Sequence, residues 1–354
     1  MCKFFSIFAS LLLVTQLSFA APPFYTQHNL ISDDTTLIPA DHEDGLVVNA
    51  WGLTSSPTSP WWLANNGSDS STLFNANTGT IPALIVAIPG GVPTGAVFNS
   101  SGGGFVVSNG TTSAPAVFLF SSETGIISGW NSATGAQVGA TVPDAIYKGL
   151  AIAGTGADAR LYATNFHAGT VDVFDNAFHL LSLPGAFVDP NLPAGFAPFG
   201  IQTIGGTIYV TYAMQDAHKE DEVAGAGLGY VDAYDTAGNL VRRVASAGAL
   251  NAPWGLALAP NTFGAFGGML LVGNFGDGRI NAYDLGASGE ALLLGPLHAA
   301  NGPPMAIDGL WALQFGNGAN AGSQNTLFFT AGPLDESHGL FGSIEPAESP
   351  GHNR

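Results

Sequence analysis

The chain has 354 residues, 8 Lys and Arg against 26 Asp and Glu, a formal net charge of −18, and only 10% charged residues. Such acidity repels phosphate backbones and argues against nucleic acid as a partner. With 48 Gly, 22 Pro and 46% hydrophobic residues, the composition suits short strands joined by tight turns and excludes long helices and wholesale disorder.

The chain opens with Lys3, an apolar run from Phe4 to Val14, and Ser18-Phe19-Ala20. This pattern predicts a secretory signal peptide over residues 1–20. The run is shorter than the roughly 20 residues of a membrane span, and no later stretch is long and unbroken enough to make one. Cys2 is the only cysteine, and cleavage would remove it. The mature chain then has no disulfides, zinc–thiolate sites, thiol nucleophiles or iron–sulfur clusters. Its expected compartment is extracytoplasmic, secreted or periplasmic.

One phrase then recurs, in its fullest form a small residue or Pro, any residue, Gly and an apolar residue. Its copies are Ala50-Trp51-Gly52-Leu53, Pro93-Thr94-Gly95-Ala96, Tyr147-Lys148-Gly149-Leu150, Pro198-Phe199-Gly200-Ile201, Pro253-Trp254-Gly255-Leu256 and Ile307-Asp308-Gly309-Leu310. The glycines lie 43, 54, 51, 55 and 54 residues apart. A second strand is expected after each, as at Trp61-Trp62-Leu63-Ala64, Gly104-Phe105-Val106-Val107, Leu161-Tyr162-Ala163-Thr164 and Thr326-Leu327-Phe328-Phe329. In four units an Asn follows it: Asn65, Asn109, Asn165 and Asn274. Third strands alternate apolar and polar residues, as in Thr170-Val171-Asp172-Val173-Phe174-Asp175, the period of a half-buried strand. A fourth closes several units, as at 290–294. Six units of four antiparallel strands describe an all-β, six-bladed β-propeller. It is expected over residues 25–345 as one domain, after the signal peptide at 1–20 and before a flexible tail at 346–354. The ring is expected to close by pairing segments from both ends.

One face of such a ring collects the loops that enter each inner strand and those between second and third strands. Insertions at the latter, 214–223 and 332–338, mark it as the binding face. The candidate residues there are Trp51, Asn65, Asn109, Asn165, Asp216, His218, Trp254, Asn274, Asp308, Trp311, Glu336 and His338. The Asn column also suits turns, and the aromatics equally suit a plug between blades. Carboxylates at Asp216, Glu220, Asp221, Glu222, Asp308, Asp335 and Glu336 are hard donors for Ca²⁺ or Mg²⁺, but no EF-hand or nonapeptide spacing occurs. Asp41-His42-Glu43-Asp44 reads as a solvated loop. No Gly-x-Ser-x-Gly elbow or Walker loop is present. Three N-glycosylation sequons occur, at Asn66-Gly67-Ser68, Asn99-Ser100-Ser101 and Asn109-Gly110-Thr111.

The repeat phrase with its Tyr/Phe-Asp ending resembles NHL- or TolB-like six-bladed propellers. Asn29-Leu30-Ile31-Ser32-Asp33, Asn49-Ala50-Trp51-Gly52-Leu53, 250–260, 271–278, 307–313 and 325–333 together resemble an exported, mostly bacterial conserved hypothetical family. The resemblance covers nearly the whole mature chain and implies a propeller and export, but no reaction.

Two functions follow as expectations. The first is a binding or scaffold module, monomeric, whose top face takes a protein, glycan or small molecule. The alternative is a hydrolase or lactonase dependent on a divalent metal such as Ca²⁺ in the central channel, by analogy with gluconolactonase-like and paraoxonase-like propellers. Its ligands would be Asn165, Asn274 and Asp308.

Overall fold

A computed structural model describes residues 24–132, 135–300 and 302–347. The expected signal peptide and residues 348–354 of the expected tail lie outside the described residues. The chain folds as an all-β, six-bladed propeller of four-stranded antiparallel blades.

Blade 1 runs Ala50–Thr54, Trp61–Asn65, Ser70–Phe74 and Val86–Ala87 from the axis outward. Blade 3 (Tyr147–Ala153, Arg160–Asn165, Thr170–Asp175, Leu180–Leu181) and blade 5 (Pro253–Leu258, Leu270–Asn274, Ile280–Asp284, Leu292–Pro296) repeat it. Blade 4 (Phe196–Ile204, Thr207–Gln215, Tyr230–Tyr234, Leu240–Ser246) adds a short strand, Glu222–Val223, that folds its insertion back onto Met214 and Gln215. Blade 6 closes the ring. Its strands Leu310–Phe315, Leu327–Ala331 and Leu340–Pro346 take Phe24–Ser32 as the fourth, paired antiparallel to Leu340–Pro346.

Two sequence expectations are corrected. In blade 2 the inner strand Pro93–Phe98 pairs with Phe118–Ser122, followed by Ile126–Trp130 and Gln137–Thr141. The expected second strand at 104–107 instead contributes Val106–Ser108 to a separate hairpin with Ser113–Pro115. Asn109 therefore lies in an exposed hairpin turn, and Ser122, paired to Pro93 as Asn65 is to Ala50, fills its column. In blade 6 the phrase is out of register by three. Gly309 has φ +63° and sits in the turn before the strand, while Ala312 takes the glycine position behind Trp311.

The repeated glycine has a steric cause. A Cβ at Gly52 would lie 2.5 Å from Thr94 O, at Gly200 2.1 Å from Trp254 O and at Gly255 2.5 Å from Trp311 O. Neighbouring inner strands approach too closely around the axis for a side chain to fit. Hydroxyls one residue before the Asn column then staple blade to blade: Thr164 Oγ1 donates to Phe199 O (2.6 Å) and Thr330 Oγ1 to Trp51 O (2.5 Å).

The core lies between blades. Leu161 and Ala163 pack toward blade 2 while Tyr162, between them, packs toward blade 4. Both faces of most strands are thus buried, each large apolar side chain contributing about 1.5–3 kcal/mol. Trp51, Trp254 and Trp311 with Phe166, Phe199 and Phe275 form a further cluster on the axis.

Candidate functional site

The axial cluster closes the channel. Trp51 and Trp311 stack at 3.6 Å between centroids, Phe275 stacks on Trp311 at 4.1 Å, and Trp254 meets both tryptophans edge-on. Trp51 and Trp311 are buried. The position before the axial glycine, or before Ala312 in blade 6, holds Trp51, Thr94, Phe199, Trp254 or Trp311 in five blades, all but Thr94 in the cluster. The exception is Lys148.

Lys148 is buried, its side chain 1% exposed. Its ammonium lies 5.2 Å from the centroid of the Trp51 ring, within cation–π range. Trp254 Nε1 donates to its carbonyl at 2.9 Å. Its Nζ donates to Glu123 Oε1 at 2.5 Å and Asp221 Oδ1 at 3.1 Å. Glu123 begins the loop after the second strand of blade 2, and Asp221 belongs to the insertion of blade 4. Asn66 Nδ2 donates to the other oxygen of Glu123 at 3.0 Å. From blade 6, Glu336 Oε2 accepts from Asn49 Nδ2 at 2.6 Å, and Asn49 Oδ1 accepts from Trp311 Nε1 at 2.9 Å. The plug is thus wired to the loops above it.

Four carboxylates, Glu123, Asp221, Glu222 and Glu336, act on this one cation. Burial disfavours the charge on Lys148, but Glu123, Glu222 and Asp221 outweigh it and hold its pKa above the usual value. Burial pushes Glu222 up to about 8 against the opposing pull of Lys148, and Glu336 and Asp221 push the same way. Glu336 is raised too, chiefly by burial, with Asn49 and Lys148 opposing. Leu334, Asp335 and Glu336 all have positive φ, 57°, 52° and 61°. Three consecutive non-glycine residues in the left-handed region store backbone strain in the turn that presents Glu336.

Trp51, Trp254, Trp311 and Glu336 of the expected residues therefore meet around Lys148. The others serve their own blades. Asn65 donates to Thr72 Oγ1 at 3.0 Å and Asn165 to Asp172 Oδ2 at 3.0 Å. Asp216 Oδ1 accepts the backbone N–H of His218 and Glu220, holding the blade 4 loop. His218, Asn109 and Asp308 are exposed. His338 Nδ1 lies 2.7 Å from Asp33 Oδ2 and ties blade 6 to the chain after its first strand.

The three expected metal ligands do not fit as a set. Asn165 Oδ1 and Asp308 Oδ2 already accept backbone N–H groups, from Ala168 and Leu334. Of the three, only Asn274 has a buried oxygen, Oδ1, with no hydrogen-bond partner among the described residues. Among the described residues no group of three His, Asp or Glu side chains is arranged to hold a metal ion.

Sequence reasoning singled out neither Lys148 nor Glu123 as a site residue, and it named Asp221 and Glu222 only as metal donors. One signal was present. Lys148 and Asp308 are the two charged residues that stand before the glycine of the repeat phrase, and an inward charge must find partners.

No protein-family model matches the chain. Among solved structures, virginiamycin B lyase from Staphylococcus aureus matches 91% of this chain and 98% of its own, at 12% identity and TM-score 0.50. A streptogramin B lyase matches 92% of this chain and 98% of its own, at 11% identity and TM-score 0.52. At such identities the likeness is one of fold. Sequence relatives are nearer. An uncharacterised protein of Acanthamoeba polyphaga mimivirus is 34% identical over 331 residues, 89% of this chain and 78% of the relative. A second from the same virus is 33% identical over 337 residues, 89% of this chain and 84% of that relative. The chain belongs to one family with these two mimivirus proteins.

Proposed function

We propose that the chain is an extracytoplasmic binding module that takes a positively charged group at the centre of its top face. The group is an ammonium or guanidinium carried by a protein, glycan or small molecule. One observation carries the reading: carboxylates from blades 2, 4 and 6 gather around a single buried lysine. The two loop insertions supply three of the four. Export rests on the leader read over residues 1–20.

The pKa of Glu222, about 8, makes the reading quantitative. At neutral pH this carboxyl keeps its proton. An arriving cation favours the ionised form, so binding releases a proton and tightens as pH rises through 8. Calorimetric titration with spermidine and with an arginine-rich peptide tests this. Affinity should rise between pH 6 and 9 in the native chain, and Glu336→Gln should weaken it about tenfold, or about 1.4 kcal/mol. Equal affinity for a neutral analogue, or indifference to Glu336→Gln, overturns the reading.

A second reading is favoured by the same carboxyl. A protonated Glu222 beside Lys148 would serve as a general acid in hydrolysis. Turnover of a lactone or ester that disappears in Glu222→Gln while cation binding persists would support it.

A further inference from the structure

The three sequons are separated sharply by their surroundings. Asn66 is buried, its Nδ2 donates to Glu123 Oε2 at 3.0 Å, and the hydroxyl of Ser68 donates to Leu46 O at 2.6 Å. Asn99 is buried, and its Nδ2 donates to both Gly104 O (3.0 Å) and Ala116 O (2.8 Å). Ser101, which completes that sequon, is 2% exposed, and its hydroxyl accepts from Gly104 N at 3.0 Å. In both, the nucleophilic amide and the hydroxyl two residues on are committed to the fold.

Asn109 differs in every respect. It occupies the turn of the hairpin Val106–Ser108 with Ser113–Pro115, which pairs with no blade strand. Residues 108–115 are all exposed. Its Oδ1 accepts the backbone N–H of Thr111 (3.0 Å) and Thr112 (2.9 Å), forming an Asx turn, while Nδ2 and the Thr111 hydroxyl make no bond among the described residues. Gly110, with φ +85° and open space around it, takes the left-handed conformation that the turn requires.

We infer that Asn109 is an N-glycosylation site of the folded chain, and that Asn66 and Asn99 are closed to the same chemistry. The donor is an oligosaccharide carried on a lipid diphosphate. Asn109 Nδ2 bonds to C1 of the first sugar, the C1–O bond to the diphosphate breaks, the lipid diphosphate leaves, and one amide proton passes to solvent. The site is independent of the cation reading and needs only that the chain meet an oligosaccharyltransferase, as an exported chain does in a glycosylating host.

The test uses the purified full chain with a single-subunit oligosaccharyltransferase and lipid-linked oligosaccharide, read by intact mass and peptide mapping. A peptide spanning 105–115 serves as the acceptor control. The folded chain should gain the mass of one oligosaccharide, mapped to Asn109. Asn109→Gln and Thr111→Ala should each abolish the gain, with thermal melting of the ring little changed because the turn is exposed and its hairpin pairs with no blade strand. A glycan on Asn66 or Asn99 of the folded chain, or no glycan on the folded chain while the peptide is modified, overturns the inference.

Discussion

At the scale of single residues, the protonation of Glu222 ties stability to pH. Its folded pKa, about 8, lies above the ordinary carboxyl value of 4.5. Between those values the unfolded chain has released this proton and the folded chain still holds it. The folded state binds more protons, so the contribution of Glu222 to stability falls as pH rises through that window. The expected result is that Glu222→Gln flattens the decline of urea-unfolding stability between pH 5 and 8, leaving the variant more stable than the native chain at pH 8. An unchanged pH profile would refute the assigned burial. The sequence marked Glu336 for the binding face and Asp221 and Glu222 as hard donors, but not their gathering around Lys148. Glu123, Asp221, Glu222 and Glu336 share no repeat position, and three of them come from insertions that lie outside the period. Trp51, Trp254 and Trp311 were legible because they recur in one column.

At the scale of elements, blade 4 carries a buried polar network. Arg243 on its outer strand bonds Asp189 in the loop before the blade and Asp232 on its third strand, both of whose side chains are nearly inaccessible. Tyr234 donates to Asp232 at 3.3 Å and shares a 2.6 Å bond with Tyr212. Burial raises Asp232 to about 6, against the pull of Arg243. Arg243→Met would leave two carboxylates buried without their counter-ion. We expect a loss of about 3–5 kcal/mol in urea unfolding near pH 7.5. Below pH 6 the loss should shrink, since Asp232 can then take up a proton instead. A loss below about 1 kcal/mol at pH 7.5 would mean that water reaches the network. Element reading from sequence failed for local reasons. Phe105 and Val107 face inward with Val106 exposed between them, an alternation that imitates a blade strand while belonging to a hairpin. Gly309 imitates the axial glycine but serves a turn.

At the scale of the whole molecule, the period of about fifty residues was legible because each blade solves the same packing problem. The identity of the closing strand was not, because the Phe24–Ser32 segment carries no repeat phrase. Its place is fixed by partners far along the chain. Tyr25 Oη donates to Phe263 O at 3.2 Å and its ring stacks on Phe263 at 4.8 Å, while Ile31 packs in the core between blades 6 and 1. A chain lacking residues 1–32 should therefore melt at lower temperature and with a broader transition. A synthetic peptide of residues 24–32 should restore part of the loss. A melt as sharp as that of the full chain would show that three strands suffice for blade 6.

That closing strand also sets an order of events in time. It leaves the ribosome before the other strands of the ring and pairs with Leu340–Pro346, the ring strand farthest along the chain. At about 5–20 residues per second, some 300 residues of synthesis keep it waiting for roughly 15–60 seconds. Until then its backbone donors and acceptors are an open template for any other strand. The ring is thus assembled under a clock, and a chain halted before its final blade has no route to the finished fold.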